Sequence, residues 1–96
     1  MKLLPLILAA VVQVHAWQVN FFEDKNCQNE TQATGGVGSR GCTNIPEAVL
    51  SFQYFGDGGT LQLFAQDNCG PAFLQQSASS GSCEGTNRET LSWAII

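Results

Sequence analysis

Four cysteines are the residues of this sequence with the clearest capacity for chemistry. They stand at positions 27, 42, 69 and 83. No two of them have the two-residue spacing that many structural zinc sites use, so a zinc centre is disfavoured. Four cysteines in a short secreted chain usually form two disulfides. We therefore predict that Cys27, Cys42, Cys69 and Cys83 are all disulfide-bonded and that no metal is bound.

Enzymatic chemistry has little support in the remaining side chains. The single histidine, His15, lies in a segment that we expect to be removed, which excludes nucleophiles activated by histidine. Carboxylate pairs for glycoside hydrolysis would be Glu23 with Asp24 and Glu84 with Glu89, but these fall on turns or strand edges where solvated charge is normal. We predict no enzyme, no catalytic residue and no cofactor.

The N-terminal segment has the pattern of a secretory signal peptide. Lys2 gives a positive start, residues 3–12 are apolar, and Val14-His15-Ala16 offers small residues at the cleavage positions. The apolar stretch is too short to span a bilayer. We predict a signal peptide at 1–16 and one extracellular domain at 17–96. The alternative is a buried N-terminal strand or helix.

The predicted mature domain is acidic. Without Lys2, three basic residues oppose eight carboxylates, a formal net charge of 3 − 8 = −5. No basic stripe is available to neutralise phosphates, so nucleic-acid binding is disfavoured. Adhesion to anionic lipid is disfavoured for the same reason. We expect a monomer that binds an extracellular protein or glycan and has no membrane span.

An internal repeat organises this domain. The segment 22–27 (Phe-Glu-Asp-Lys-Asn-Cys) returns at 64–69 as Phe-Ala-Gln-Asp-Asn-Cys. A second cysteine follows each copy, and nine residues later comes a serine with an aromatic residue, at Ser51-Phe52 and Ser92-Trp93. We place repeat 1 at about 17–55 and repeat 2 at about 59–96.

The repeat also favours one pairing of the cysteines. Cys27 and Cys42 are fifteen positions apart, and Cys69 and Cys83 are fourteen apart. Because a duplicated motif would carry its own bridge in each copy, we predict the bridges Cys27–Cys42 and Cys69–Cys83. Each would add about 3 kcal/mol by restricting the unfolded chain.

The hydrophobic pattern predicts an all-β domain. Apolar residues alternate with polar ones in each repeat, and no window shows a convincing helical period. Small and polar residues separate the strands in a glycine-rich loop at 34–41, a tight link at 56–59 and a second small-residue loop at 77–82. Because loops carry specificity on a rigid scaffold, the candidate contact residues lie there: Gly35, Gly36, Val37, Arg40, Asp57, Ser79 and Ser80. Asn29-Glu30-Thr31 is an N-glycosylation sequon.

These features resemble the Greek-key motif of the βγ-crystallin superfamily over the whole of 17–96. Phe22 and Phe64 match its first aromatic residue, and the cysteines at 27 and 69 occupy the place of its second. Ser51 and Ser92 match the serine that pins its folded hairpin. Asn29 and Pro71 replace its glycine. The resemblance implies two Greek-key motifs in a sandwich of two four-stranded sheets, with one strand exchanged between the motifs.

The calcium sites common in that superfamily are not expected here. Aligned on the pinning serines, the chain reads Pro46-Glu47-Ala48-Val49-Leu50-Ser51 and Asn87-Arg88-Glu89-Thr90-Leu91-Ser92. A leucine replaces a hydroxyl ligand in both, and Arg88 places a positive charge where a carboxylate belongs. Calcium requires six to eight oxygen ligands, so we predict no tight calcium site.

The small secreted microbial members of the superfamily suggest the function. The resemblance implies a non-enzymatic effector or antimicrobial, killer-toxin-like protein of fungal origin that acts by binding. A secreted proteinase inhibitor is an alternative, with the loop at 34–41, tethered by Cys42, entering a protease cleft. A structural cell-wall or spore protein is a third possibility.

Overall fold

The computed structural model describes residues 16–96, and the prediction of an all-β chain is confirmed within that range. No α-helix occurs there, and a short 3-10 turn, η1, interrupts the second half at Asp67–Cys69. The strands are β1 Ala16–Phe22, β2 Glu30–Val37, β3 Arg40–Gly56, β4 Thr60–Phe64, β5 Phe73–Ala78 and β6 Cys83–Ile95. The predicted signal peptide lies outside the described residues apart from Ala16, which begins β1.

The strands form one antiparallel network in the order β2-β1-β3-β6-β4-β5. This order is symmetric about its centre. The first three strands of the chain lie on one side and the last three on the other, with β3 and β6 side by side in the middle. The sequence repeat is therefore also a repeat of strand order.

The two central strands are long, at 17 and 13 residues, and each serves both repeats. Arg40, Thr43 and Asn44 in the first part of β3 pair with the last part of β6, which also pairs with β4. The later part of β3 pairs with β1 and with the first part of β6, as at Ser51 opposite Gly85. Register shifts between these parts mark where the strands change neighbours.

Side chains from both halves meet in one core. Alternation in the strands buries Val19 and Phe21 of β1 and Leu61 and Leu63 of β4, all at 0% exposure. The Trp93 ring of β6 lies 5.7 Å from the Phe21 ring although β1 and β6 are not paired. Side chains of the two halves therefore pack against one another in a core that both share. Burying one such side chain stabilises the fold by roughly 1.5–3 kcal/mol.

The glycine-rich loop predicted at 34–41 is largely strand. Gly35 and Gly36 belong to β2, and only Gly38 and Ser39 separate β2 from β3. A Cβ on Gly36 would come within 2.8 Å of the Trp17 ring, so glycine is needed there for close packing rather than for mobility. Glycine-rich composition predicts a loop here, because the local sequence does not show which distant side chain packs against these glycines. The segment 42–46 is likewise part of β3.

The predicted pairing of the cysteines is wrong. The bridges are Cys27–Cys83 and Cys42–Cys69, and each joins one repeat to the other. The reason is the exchange of strand pairing. The part of β3 that carries Cys42 lies beside the end of β6, next to β4, and the part of β6 that carries Cys83 lies beside the end of β3, next to β1. The second cysteine of each repeat is thereby carried to the other half.

Candidate functional site

Two buried serines fix the turn that follows the first strand of each repeat. Ser51 Oγ accepts a hydrogen bond from Cys27 N at 3.1 Å and donates one to the carbonyl oxygen of Asp24. Ser92 Oγ does the same in repeat 2, accepting from Cys69 N at 2.9 Å and donating to Gln66 O. Both serines are 0% exposed. These turns are thus held rigidly at one end of the molecule, which we call the turn end.

The first aromatic residue of each repeat has a different environment. Phe22 is buried, whereas Phe64 is partly exposed and packs edge-on against Phe73, with 5.6 Å between the ring centroids. Asn29 is exposed at the end of the first turn. The structural residues predicted from the sequence therefore gather at the turn end.

The predicted contact residues gather at the opposite end of the sheet, which we call the loop end. It consists of the turns at 37–40, 56–60 and 78–82 together with Ile96. Thr60 and Ile96 exchange two backbone hydrogen bonds of 2.9 Å, and Asp57 N donates to Ala16 O at 3.1 Å. The start of β1 and the end of β6 are therefore joined to the link between the repeats.

The turn at 78–82 closes over the same region. Ser79 Oγ donates to Gly56 O at 2.8 Å, and the backbone N–H groups of Ser80 and Gly81 donate to Tyr54 O at 3.1 and 2.9 Å. Behind this turn, the Glu84 carboxylate accepts from Ser77 at 2.9 Å and from Ser80 at 3.4 Å. The structure thus brings Asp57 together with Ser79 and Ser80.

Arg40 is placed over the aromatic side of the loop end. Its guanidinium carbon lies 5.9 Å from the Trp17 ring and 5.4 Å from the Trp93 ring, within reach of cation–π attraction. The Trp17 ring also holds the turn at 37–40 in place, because its Nε1 donates a hydrogen bond to Gly38 O at 2.8 Å. Val37 and Arg40 are consequently presented by packed, hydrogen-bonded backbone.

Three large apolar side chains are exposed at the loop end. Val37 is 65% exposed, Phe55 is 40% exposed and Ile96 is 58% exposed. Phe55 rests on Gly81, where an added Cβ would come within 3.0 Å of its ring. Neither Phe55 nor Ile96 is among the contact residues predicted from the sequence. The available signal for Phe55 was the pair Tyr54-Phe55, because adjacent strand residues face opposite ways and only one of the two can enter the core.

Charge is divided unequally between the two ends. The loop end holds Arg40 and Asp57, and the nearby Glu84 is hydrogen-bonded to Ser80 of its 78–82 turn. The rest of 16–96 carries six carboxylates and two basic side chains, a formal net charge of −4. Those charged residues lie in the turns and the central strand segments of the other end: Glu23, Asp24, Lys25, Glu30, Glu47, Asp67, Arg88 and Glu89. The loop end is therefore the less charged and more apolar of the two.

Within residues 16–96, no three or more histidine, cysteine, aspartate or glutamate side chains are grouped as they would be to hold a metal ion. The same residues contain no helix long and apolar enough to cross a membrane. Comparison of the chain with known protein families, curated proteins and solved structures finds no match in any of the three. The loop end is the candidate site on its geometry alone, as a surface for binding.

Proposed function

We propose that this chain is a small secreted, disulfide-stabilised effector or antimicrobial, killer-toxin-like protein that binds an extracellular target through its loop end. The observation that carries the proposal is the placement of the exposed apolar residues: of the four large ones within residues 16–96, Val37, Phe55 and Ile96 belong to this nearly neutral end. Exposed apolar side chains concentrated in one region mark interaction sites more often than scattered ones do.

The two bridges support an extracellular setting. Disulfides persist in oxidising compartments, and both Cys27–Cys83 and Cys42–Cys69 tie one repeat to the other. A small domain with such cross-links withstands local opening and hence proteolysis. The proposal includes the two Greek-key motifs and the crystallin-like sandwich, which would hold the loop end rigid before it meets a partner.

The sandwich is supported by the strand exchange and by the serines. At the register shifts, β3 and β6 would each bend from one layer into the other, giving layers β2-β1-β3-β6 and β5-β4-β6-β3. Ser51 and Ser92 pin equivalent turns in the two layers. Equivalent pins in equivalent layers are what the Greek-key resemblance implies.

The test uses the full chain, expressed in a yeast host and purified from the medium. Growth inhibition is measured against a panel of fungi and bacteria for the wild type and for Phe55→Ser, Val37→Ser and Ile96→Ser. Phe73→Ser is the matched control, because Phe73 is also 50% exposed but lies at the other end. Circular dichroism and thermal unfolding establish that each variant is folded.

We expect the loop-end variants to lose at least about tenfold in potency, equivalent to about 1.4 kcal/mol of binding, and Phe73→Ser to retain it. Equal losses in all variants would contradict a binding role for the loop end. Stoichiometric inhibition of a secreted protease, without growth inhibition, would favour the inhibitor alternative. Retention in an extracted wall fraction would favour a structural protein.

A further inference from the structure

The sequon at Asn29 occupies a position that the fold leaves open. Asn29-Glu30-Thr31 is the one Asn-X-Ser/Thr sequence in the chain. Asn29 is exposed, and its side-chain amide makes no hydrogen bond to any other residue of 16–96. Modification of the Asn29 amide nitrogen would therefore break no hydrogen bond of the described residues.

The backbone at this position is fixed although the side chain is free. Asn29 N donates to Asp24 Oδ1 at 2.8 Å, and Asn29 O accepts from Glu23 N at 3.0 Å. The turn holds Asn29 immediately before β2. A modification here would stand at the turn end and leave the loop end accessible.

The strand that follows has an unprotected edge. β2 is the outermost strand on its side of the sheet, and after Glu30 its residues 31–37 include no charged residue and no proline. Charges, prolines or covering groups on edge strands normally prevent pairing with another chain. A bulky hydrophilic group at the start of β2 would supply that protection.

We propose that Asn29 carries an N-linked glycan that covers the start of the open edge of β2. This rests on the secretion included in the proposed function, since glycan transfer to a sequon occurs in secreted chains. The two disulfides are consistent with passage through an oxidising compartment.

The Thr31 hydroxyl defines a sharp test. In the folded chain it donates to Phe21 O at 3.3 Å, and serine can make the same bond. The full chain is secreted from yeast, and its intact mass is measured before and after an amidase that removes N-glycans and converts the asparagine to aspartate. The variants are Asn29→Gln, Thr31→Ala and Thr31→Ser, with Asn26→Gln as a control outside the sequon.

We expect a glycan on the wild type, Thr31→Ser and Asn26→Gln, its loss in Asn29→Gln and Thr31→Ala, and aspartate at position 29 after enzymatic removal. Deglycosylated protein should then self-associate at lower concentration than the glycosylated form in sedimentation experiments. Unmodified chain in the medium would overturn the glycan while leaving secretion intact, whereas absence of the chain from the medium would contradict secretion as well. Equal self-association of the two forms would overturn the protective role.

Discussion

The two repeats share the same arrangement of strands but differ in the side chains at equivalent buried positions. In repeat 1, two buried positions in the part of β3 where the register shifts are Ile45 and Val49. The equivalent positions in repeat 2, 41 residues later, are Thr86 and Thr90, which are also buried. Thr86 Oγ1 donates to Arg88 O at 2.7 Å, whereas Thr90 Oγ1 has no partner within residues 16–96. Repeat 2 therefore buries a hydroxyl group without a hydrogen-bond partner, which lowers the stability of the fold, whereas repeat 1 has an apolar side chain at the equivalent position.

The turns after β1 and β4 differ in the same way. The first turn is closed by the Asp24 carboxylate, which accepts hydrogen bonds from the backbone N–H groups of Asn26, Gln28 and Asn29. In repeat 2 the equivalent residue is Gln66, and the turn is held instead by Asn44, whose Oδ1 accepts from Asn68 N at 2.7 Å. The serine hydrogen bonds and the cross-links are thus common to both repeats, while the groups that complete each turn are not.

Removal of either disulfide should cause the largest loss of unfolding free energy. In the chain-entropy relation, a bridge spanning 56 residues contributes about 4 kcal/mol and one spanning 27 residues about 3.5 kcal/mol. We expect the double variant Cys27→Ala/Cys83→Ala to lose slightly more unfolding free energy than Cys42→Ala/Cys69→Ala, as measured by denaturant unfolding. A loss below about 1 kcal/mol for either pair would contradict a stabilising role.

Peptide mapping supplies the control on connectivity. Trypsin with a protease that cuts after acidic residues separates Cys27 from Cys42 and leaves Cys69 and Cys83 together on the fragment 68–84. Bridges between the repeats join that fragment to both other cysteine peptides under non-reducing conditions. Bridges within the repeats would join the Cys27 peptide to the Cys42 peptide and leave 68–84 alone.

The disulfide connectivity is the part of the fold that the sequence did not predict. The repeat and its alternation predicted an all-β domain, and the Ser51 and Ser92 spacing predicted two equivalent positions that the structure places in equivalent hydrogen bonds. Equal spacing of the cysteines indicates which positions in the two repeats are equivalent. It does not indicate on which side of the sheet each cysteine lies. That depends on the path of β3 and β6 through the sheet, which is set by contacts distant in sequence.

The loop end was only partly predictable for a similar reason. Asp57, Ser79 and Ser80 could be recognised as loop residues from their types and neighbours. Gly36 could not be recognised as a packing position, because its role depends on the Trp17 ring nineteen positions earlier. Local composition therefore identified turns well and mistook a close contact between strands for a flexible segment.

Loss of a pinning serine should be the next largest effect. Ser51→Ala and Ser92→Ala each leave a buried backbone N–H and a backbone carbonyl without a partner, which costs about 1–3 kcal/mol. We expect similar losses of unfolding free energy in the two variants, because the hydrogen bonds are equivalent. Ser39→Ala, at an exposed turn position, should change stability by less than about 0.5 kcal/mol. A loss confined to one pinning serine would break the equivalence of the repeats.

Replacing each buried threonine of repeat 2 with valine should show how its hydroxyl affects the stability of the interior. Thr90→Val keeps the shape and removes an unpaired buried hydroxyl, so we expect stabilisation by about 1 kcal/mol. Thr86→Val is the matched control and should destabilise by about 1 kcal/mol, because it leaves the carbonyl oxygen of Arg88 without its donor. Denaturant unfolding of both variants provides the measurement. Destabilisation by Thr90→Val would indicate that its hydroxyl has a partner after all.

The smallest expected effect is a pH dependence that belongs to repeat 1 alone. Hydrogen bonds from backbone N–H groups, that of Asn29 foremost, hold the pKa of the Asp24 carboxyl below its ordinary value of 3.8. A carboxyl whose pKa is lower in the folded than in the unfolded chain stabilises the fold above the unfolded value, and that contribution is lost as pH falls through the folded value. We expect Asp24→Asn to be less stable than the wild type at neutral pH, with the difference shrinking below pH 3.8. Asp67→Asn is the matched control in repeat 2, since the Asp67 carboxylate accepts no hydrogen bond from residues 16–96. If thermal unfolding from neutral pH to below pH 3.8 gave the same wild-type-minus-variant difference throughout, the Asp24 carboxylate would have no role in closing the first turn.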